Sequence, residues 1–233
     1  MFGDSMMRNV VGAVFLTSAA TSAFCSPYWI AWEGTELPEV QGPWLRGFGY
    51  GGAKRTINNG ILTYDSLDDI NIWDYSYIER LRQIDPDPGE LLVIEWRLNV
   101  RIVRGMADPE VGLFSDGAWG VGFAYAEQKI FSVFENFAEI PIVPRVFHEY
   151  RFLSPDMRSY ELYIDGDLAR RGAFSQRISR SLVGWGDSVQ GAASLHDWDY
   201  LRFGVIGIPE PASLALSLCT LGVVACQRGR LFR

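Results

Sequence analysis

The sequence predicts an all-β fold, an antiparallel two-sheet sandwich, from three observations: period-two alternation, regularly spaced turn punctuation, and many aromatic residues. The clearest alternation is at 91–103 (LLVIEWRLNVRIV), where Trp96, Leu98, Val100 and Ile102 share one face and Arg97, Asn99 and Arg101 the other. Successive strand side chains point to opposite sides, so this reads as a half-buried strand. Punctuation comes from runs such as Asp85-Pro86-Asp87-Pro88-Gly89, where Pro and Gly fix turn conformations. Aromatic residues make up 14% of the 233 and apolar residues 48%. That is enough to build a core, and it excludes disorder.

Taken in order, further strands are predicted at 60–65, 111–114, 119–125, 129–134, 147–153 and 199–205. Residues 159–174 (SYELYIDGDLARRGAF) predict a hairpin, with Tyr160, Leu162 and Ile164 alternating into a turn at Asp165-Gly166-Asp167. Residues 74–83 fit a short helix and a strand equally well. Trp96, Phe123, Phe152 and Phe203 are expected in the core. No repeat and no low-complexity linker interrupts 26–208, so these residues are expected to form one domain.

Formal charge is −7, and its distribution matters more than its size. Arg8, Arg228, Arg230 and Arg233 are terminal, which leaves 26–208 with 17 basic and 26 acidic side chains. An acidic body repels phosphate backbones, so nucleic-acid binding is not expected. Cys25, Cys219 and Cys226 are also terminal. The body therefore has neither a disulfide framework nor a thiolate metal site.

The two ends read as export and membrane signals. Residues 10–20 (VVGAVFLTSAA) are an apolar run of signal-peptide length, followed by small residues through Ala23, so 1–25 are assigned to a signal helix. Asp4 offsets Arg8 ahead of that run, and a start at Met7 would place the charge better. At the other end, Pro209-Glu210-Pro211 precedes a fifteen-residue apolar stretch (ASLALSLCTLGVVAC) and the basic Arg228, Arg230 and Arg233. As a helix the stretch spans about 22 Å, short of a ~30 Å hydrocarbon core, yet its flanks obey the positive-inside rule. It reads as a short C-terminal transmembrane helix. This order of elements resembles the PEP-CTERM sorting signal of Gram-negative bacteria over about 25 residues, 209–233. The resemblance implies an exosortase-type sorting enzyme as partner and inner-membrane tethering before processing at Pro209–Pro211. Display at the cell surface or in the extracellular matrix would follow.

The body carries a second resemblance. The segments NNGILTYDS, ELLVIEWRLNV, VGLFSDGAWGVGFAY, HEYRFLSPDMRSYELYIDGDLARRG and the closing DWDYLRFG follow one another over about 150 residues. Their order resembles the concanavalin A-like, laminin-G-like jelly roll of secreted bacterial proteins. The resemblance implies a jelly-roll sandwich over 26–208, with the first and last segments close together.

Laminarinase-like glucanases of this fold carry Glu-x-Asp-x-x-Glu on one strand, which aims a carboxylate pair into one cleft. That motif is absent here, as are Gly-x-Ser-x-Gly and His-Glu-x-x-His. The nearest acidic clusters, Asp65-Ser66-Leu67-Asp68-Asp69 and Asp197-Trp198-Asp199, read as loop acids. His148 is expected to begin a strand and His196 to lie in an acidic loop, neither of them catalytic. The expectation is a protein that is not an enzyme. Calcium is the one cofactor the loop acids Asp116, Asp165, Asp167, Asp187, Asp197 and Asp199 could hold. Trp119, Tyr125 and Trp185 lie in Gly-rich stretches where little would cover them, which makes them candidate platforms for stacking on sugar rings. The functional expectation is an exported glycan-binding or adhesive module, with polysaccharide as partner. A structural matrix protein and a glycoside hydrolase with an unrecognised acid pair are the alternatives.

Overall fold

The structure, a computed structural model, describes residues 30–79, 86–105, 109–115, 119–133, 135, 138–175, 182–187 and 191–207. The signal segment, the Pro209–Arg233 tail and Asp116 lie outside the described residues. In chain order the elements are β1 (Ile30–Trp32), α1 (Pro38–Gln41), β2 (Leu45–Gly49), β3 (Lys54–Asn58), β4 (Ile61–Asp65), β5 (Trp73–Glu79), β6 (Glu90–Arg104) and β7 (Glu110–Ser115). They continue with β8 (Trp119–Tyr125), β9 (Lys129–Ser132), β10 (Ala138–Pro141), β11 (His148–Ser154), β12 (Ser159–Ile164), β13 (Asp167–Ala173), β14 (Leu182–Asp187) and β15 (Ala193–Gly207). All pairing is antiparallel and builds two sheets. The first runs β13-β12-β11-β6-β15-β4-β3, with β1 also joined to β15; the second runs β10-β9-β8-β7-β14-β5-β2. The all-β, jelly-roll-like sandwich read from the sequence is the observed architecture. β1 pairs with β15 through Ile30↔Phe203 to Trp32↔Leu201, which brings the first and last strands together.

β6 and β15 form the long central ladder of the first sheet, from Glu90↔Gly207 to Arg104↔Ala193. β6 follows the predicted alternation, with Trp96, Leu98 and Val100 buried. β15 starts six residues earlier than expected, so Asp197-Trp198-Asp199 and His196 lie within a strand rather than in a loop. Register shifts between Leu195 and His196, and between Trp198 and Tyr200, explain the misreading. Each bulge resets the inward phase, so Trp198, Leu201 and Phe203 are all buried although their spacing is not period two. Of residues 74–83, those described form a strand, Trp73–Glu79, and 80–83 lie outside the described residues: Asp74, Ser76 and Ile78 are buried, and Trp73, Tyr75 and Tyr77 alternate with them. The predicted hairpin is β12–β13, closed by Asp165 and Gly166 at φ +52° and +88°. Both central residues are left-handed, as a two-residue turn between twisted strands requires.

The core between the sheets holds two aromatic groups. Trp185 contacts Trp32, Trp44 and Trp198 at centroid distances of 5.0, 5.8 and 4.8 Å. The other group centres on Trp96, Phe123, Phe152 and Tyr160, where the buried Trp96 indole N–H donates to the Tyr125 hydroxyl at 2.8 Å. Trp96, Phe123, Phe152 and Phe203 are core, as the sequence indicated.

Candidate functional site

Two of the three aromatics singled out from the sequence are not on the surface. Tyr125 is 0% exposed and Trp185 is 1% exposed, so neither ring has a face to offer a sugar. Trp119 is half-buried against the core, and the Arg158 guanidinium lies 4.0 Å over its ring. The glycines around these aromatics lie on the opposite face of the same strands, and that face is itself buried along β8 and β14. In β8, Val121, Phe123 and Tyr125 point into the core, so Gly120, Gly122 and Ala124 face outward. In β14, Val183 and Trp185 point in, leaving Gly184 and Gly186 outward.

On the outer face of the second sheet, cross-strand register collects these glycines beside an aromatic ridge. Tyr77↔Gly184, Gly184↔Gly112 and Gly112↔Gly122 form one row across four strands. The neighbouring row is Tyr75↔Gly186, Gly186↔Glu110, Glu110↔Ala124 and Ala124↔Phe131. At ~4.8 Å per strand, roughly 19 Å separates the β5 ridge from Phe131 on β9. Lys129 lies 4.9 Å over the Phe131 ring and bonds Glu139 at 2.7 Å, which makes that border polar.

The ridge itself is Trp73, Tyr75 and Tyr77, spaced two apart on β5. Trp73 and Tyr75 stack at 5.5 Å, and Tyr75 and Tyr77 lie 5.2 Å apart at 41°. Glycines on β2 let these rings lie down across the edge of the sheet. A Cβ at Gly49 would sit 2.2 Å from the Trp73 indole nitrogen, and one at Gly47 would sit 2.8 Å from the Tyr75 ring. Neither glycine has a positive φ, so it is the overlying ring that excludes a side chain here.

A buried ion cluster holds the ridge in place from beneath. Asp74, between Trp73 and Tyr75, is fully buried and accepts from the Arg46 Nε at 3.0 Å, with Arg55 3.5 Å away. Arg55 reaches Glu39 of α1 at 2.5 and 3.1 Å. Burial would raise the Glu39 pKa, but the hydrogen bond and charge of Arg55 hold it below the ordinary carboxylate range. β2, β3, β5 and α1 are thereby clamped together.

The outer face of the first sheet is built differently. Its carboxylates are matched to arginines: Asp197 is bidentate on Arg101 at 2.5 Å, Asp199 pairs with Arg97, and Glu95 meets Arg151 and Arg202 at 3.1 and 3.0 Å. Asp165 takes the Glu149 N–H at 2.9 Å and faces the His148 Nδ1 at 2.5 Å. Among the described residues, no three His, Cys, Asp or Glu side chains gather as a metal cluster. His148 begins β11 as expected. His196 is fully buried inside β15, stacked on Tyr64 at 5.1 Å, with its Nδ1 2.8 Å from the Ser194 hydroxyl. Burial pushes its pKa down to about 3, with the Arg101 charge adding to the shift. Among the described residues no helix is long and apolar enough to cross a membrane.

No known family and no curated protein matches this sequence. The fold, in contrast, matches solved structures. A carbohydrate esterase from the Shiga toxin-encoding bacteriophage phi24B superposes with a TM-score of 0.56 at 11% identity, over 77% of this chain and 98% of that one. An endo-1,3-beta-glucanase from Streptomyces sioyaensis gives 0.53 at 13% identity, over 77% and 96%. A Shewanella oneidensis MR-1 protein of unknown function gives 0.50 at 8%. At such identities the likeness concerns the fold. It also corrects one expectation, that the chain is not an enzyme. Proteins named for glycan hydrolysis and carbohydrate de-esterification share this fold, so the missing Glu-x-Asp-x-x-Glu does not decide against catalysis. A linear motif captures only acids on one strand, whereas a sheet face assembles side chains from several strands. The chain adopts an all-β, jelly-roll-like two-sheet sandwich, the fold on which that esterase and that glucanase superpose.

Proposed function

We propose that this is a glycan-directed jelly-roll module and that its glycan lies on the outer face of the second sheet. The observation that carries the reading is the Trp73–Tyr75–Tyr77 ridge, three half-buried rings in a row along β5. A pyranose presents an apolar C–H face and a polar rim. The ridge supplies π-faces for the first, and its tyrosines carry hydroxyls for the second. Glu110 stands on the same face, in the row that begins at Tyr75. The module is exported and sorted through the tail that resembles a PEP-CTERM signal, with Pro209-Glu210-Pro211 as the processing site of an exosortase-type enzyme. Surface display of many copies would let weak single-site affinity accumulate on a repetitive polymer.

A glycan array followed by titration with a β-1,3-linked glucose hexamer tests the binding surface. Trp73→Ala should weaken glycan binding by about tenfold or more, the scale of one lost aromatic anchor. Unchanged binding in a folded Trp73→Ala protein sinks the assignment. Release of reducing sugar that Glu110→Gln abolishes makes the same face an active site. For sorting, replacing Pro209–Pro211 by alanine should leave the unprocessed tail on the membrane-bound form.

A further inference from the structure

A second recess lies on the other side of the sandwich, where β11, β12 and β13 present their outer face. It has a volume of about 360 Å³, lined by Leu91, Leu153, Pro155, Tyr160, Glu161 and Arg171. That volume lies within the ordinary range for small-molecule sites. Leu91, Leu153 and Pro155 give it an apolar floor. The polar chemistry converges on one guanidinium. The Glu161 carboxylate is already engaged, Oε1 by the Arg171 Nε at 2.8 Å and Oε2 by the Tyr163 hydroxyl at 2.6 Å. Arg171 is tied only through that Nε, so among the described residues neither Nη group has a partner. Its side chain is 70% exposed. Glu161 therefore orients Arg171 from one edge and leaves the other edge as a two-pronged donor beside an apolar floor. A neighbouring recess of about 330 Å³ shares Leu153 and is lined by Glu149, Arg151, Tyr163 and Gly166, which extends the groove along β11.

We propose that this recess binds a carboxylate-bearing sugar residue, a uronic acid unit, with its ring over Leu91, Leu153 and Pro155 and its carboxylate on the free edge of Arg171. A planar carboxylate matches two parallel N–H donors, and a neutral hydroxyl does not. The inference rests on the glycan reading of the fold and adds acidic polysaccharide as a second ligand class. Because the recess and the aromatic ridge lie on opposite faces, one molecule could then bridge two chains of a matrix.

Titration of the full chain with a galacturonic acid hexamer, and with the same hexamer methyl-esterified, tests this. Acidic binding should fall about tenfold or more on esterification or in Arg171→Gln, and should weaken with salt. Trp73→Ala should leave it unchanged. Acidic binding that is absent, or that survives Arg171→Gln, or that Trp73→Ala removes, overturns the proposal. Neutral β-1,3-glucose hexamer serves as the counter-probe, because failure of the ridge removes neutral binding alone. Arg171 lies on an edge strand and is mostly exposed, so Arg171→Gln should keep the thermal midpoint of the parent. Arg171→Lys, which keeps charge but loses the fork, should restore only part of the affinity.

Discussion

The two sheets share one core yet finish their outer faces by opposite means. On the first sheet, Asp197, Asp199 and Glu95 are each neutralised by arginines on adjacent strands. On the second, Gly112, Gly122, Gly184 and Gly186 present no side chain, and Trp73, Tyr75 and Tyr77 stand beside them. The β6–β15 centre of the first face is tiled with ion pairs and close to self-satisfied, whereas its β11–β13 end carries the Arg171 recess. The half-buried rings of the second face still have π-surface to offer a partner. The position of a tryptophan in this arrangement decides whether it contributes to stability or to binding.

Four perturbations sharpen that contrast. The largest effect is expected at Trp185, which packs against three other tryptophans in the core. Trp185→Ala should cost about 4 kcal/mol in denaturant unfolding, the usual size for a deleted core aromatic. Next comes Asp74→Ala, which strands Arg46 and Arg55 beneath the ridge and should cost about 3 kcal/mol. A double mutant with Arg46→Ala should recover part of that loss. The third is a pH effect. His196 titrates at about 3 when folded against an ordinary 6.5. The unfolded chain therefore takes up the proton first, and stability is lost as pH falls from 6.5 toward 3. About 2 kcal/mol should disappear between pH 8 and pH 5, and His196→Gln should flatten that slope in urea titrations at several pH values. The smallest effect on stability is expected for Trp73→Ala, about 1 kcal/mol or less for a half-buried ring, despite its large effect on glycan binding. A drop in Trp73→Ala as large as that in Trp185→Ala would place the ridge with the core and erase the distinction.

Much of the fold was legible because the apolar and polar residues of β6, the sequence pattern of β8 and the Asp165-Gly166 turn of the β12–β13 hairpin follow local strand and turn rules. Local interactions set both signals. The start of β15 was hidden because its bulges break the phase, and a bulge is settled by the partner strands, β6 and β4. β2 was hidden because LRGFG has no apolar alternation, and its glycines have meaning only once the rings of Trp73 and Tyr75 lie over them. The candidate site was half legible. The Gly-rich runs around Trp119 and Trp185 suggested uncovered aromatics, but these strands are buried on both sides, and the sequence alone gives alternation without saying which phase is inward. The sequence by itself determined the fold class, the hairpin and the core positions Trp96, Phe123, Phe152 and Phe203. Only the tertiary structure decided that Tyr125 and Trp185 are core, that Trp73, Tyr75 and Tyr77 form the ridge, and that Glu161 turns Arg171 outward. The physical reason is that phase, cross-strand register and ion pairing depend on residues far apart in the chain, brought together only when the two sheets close on each other.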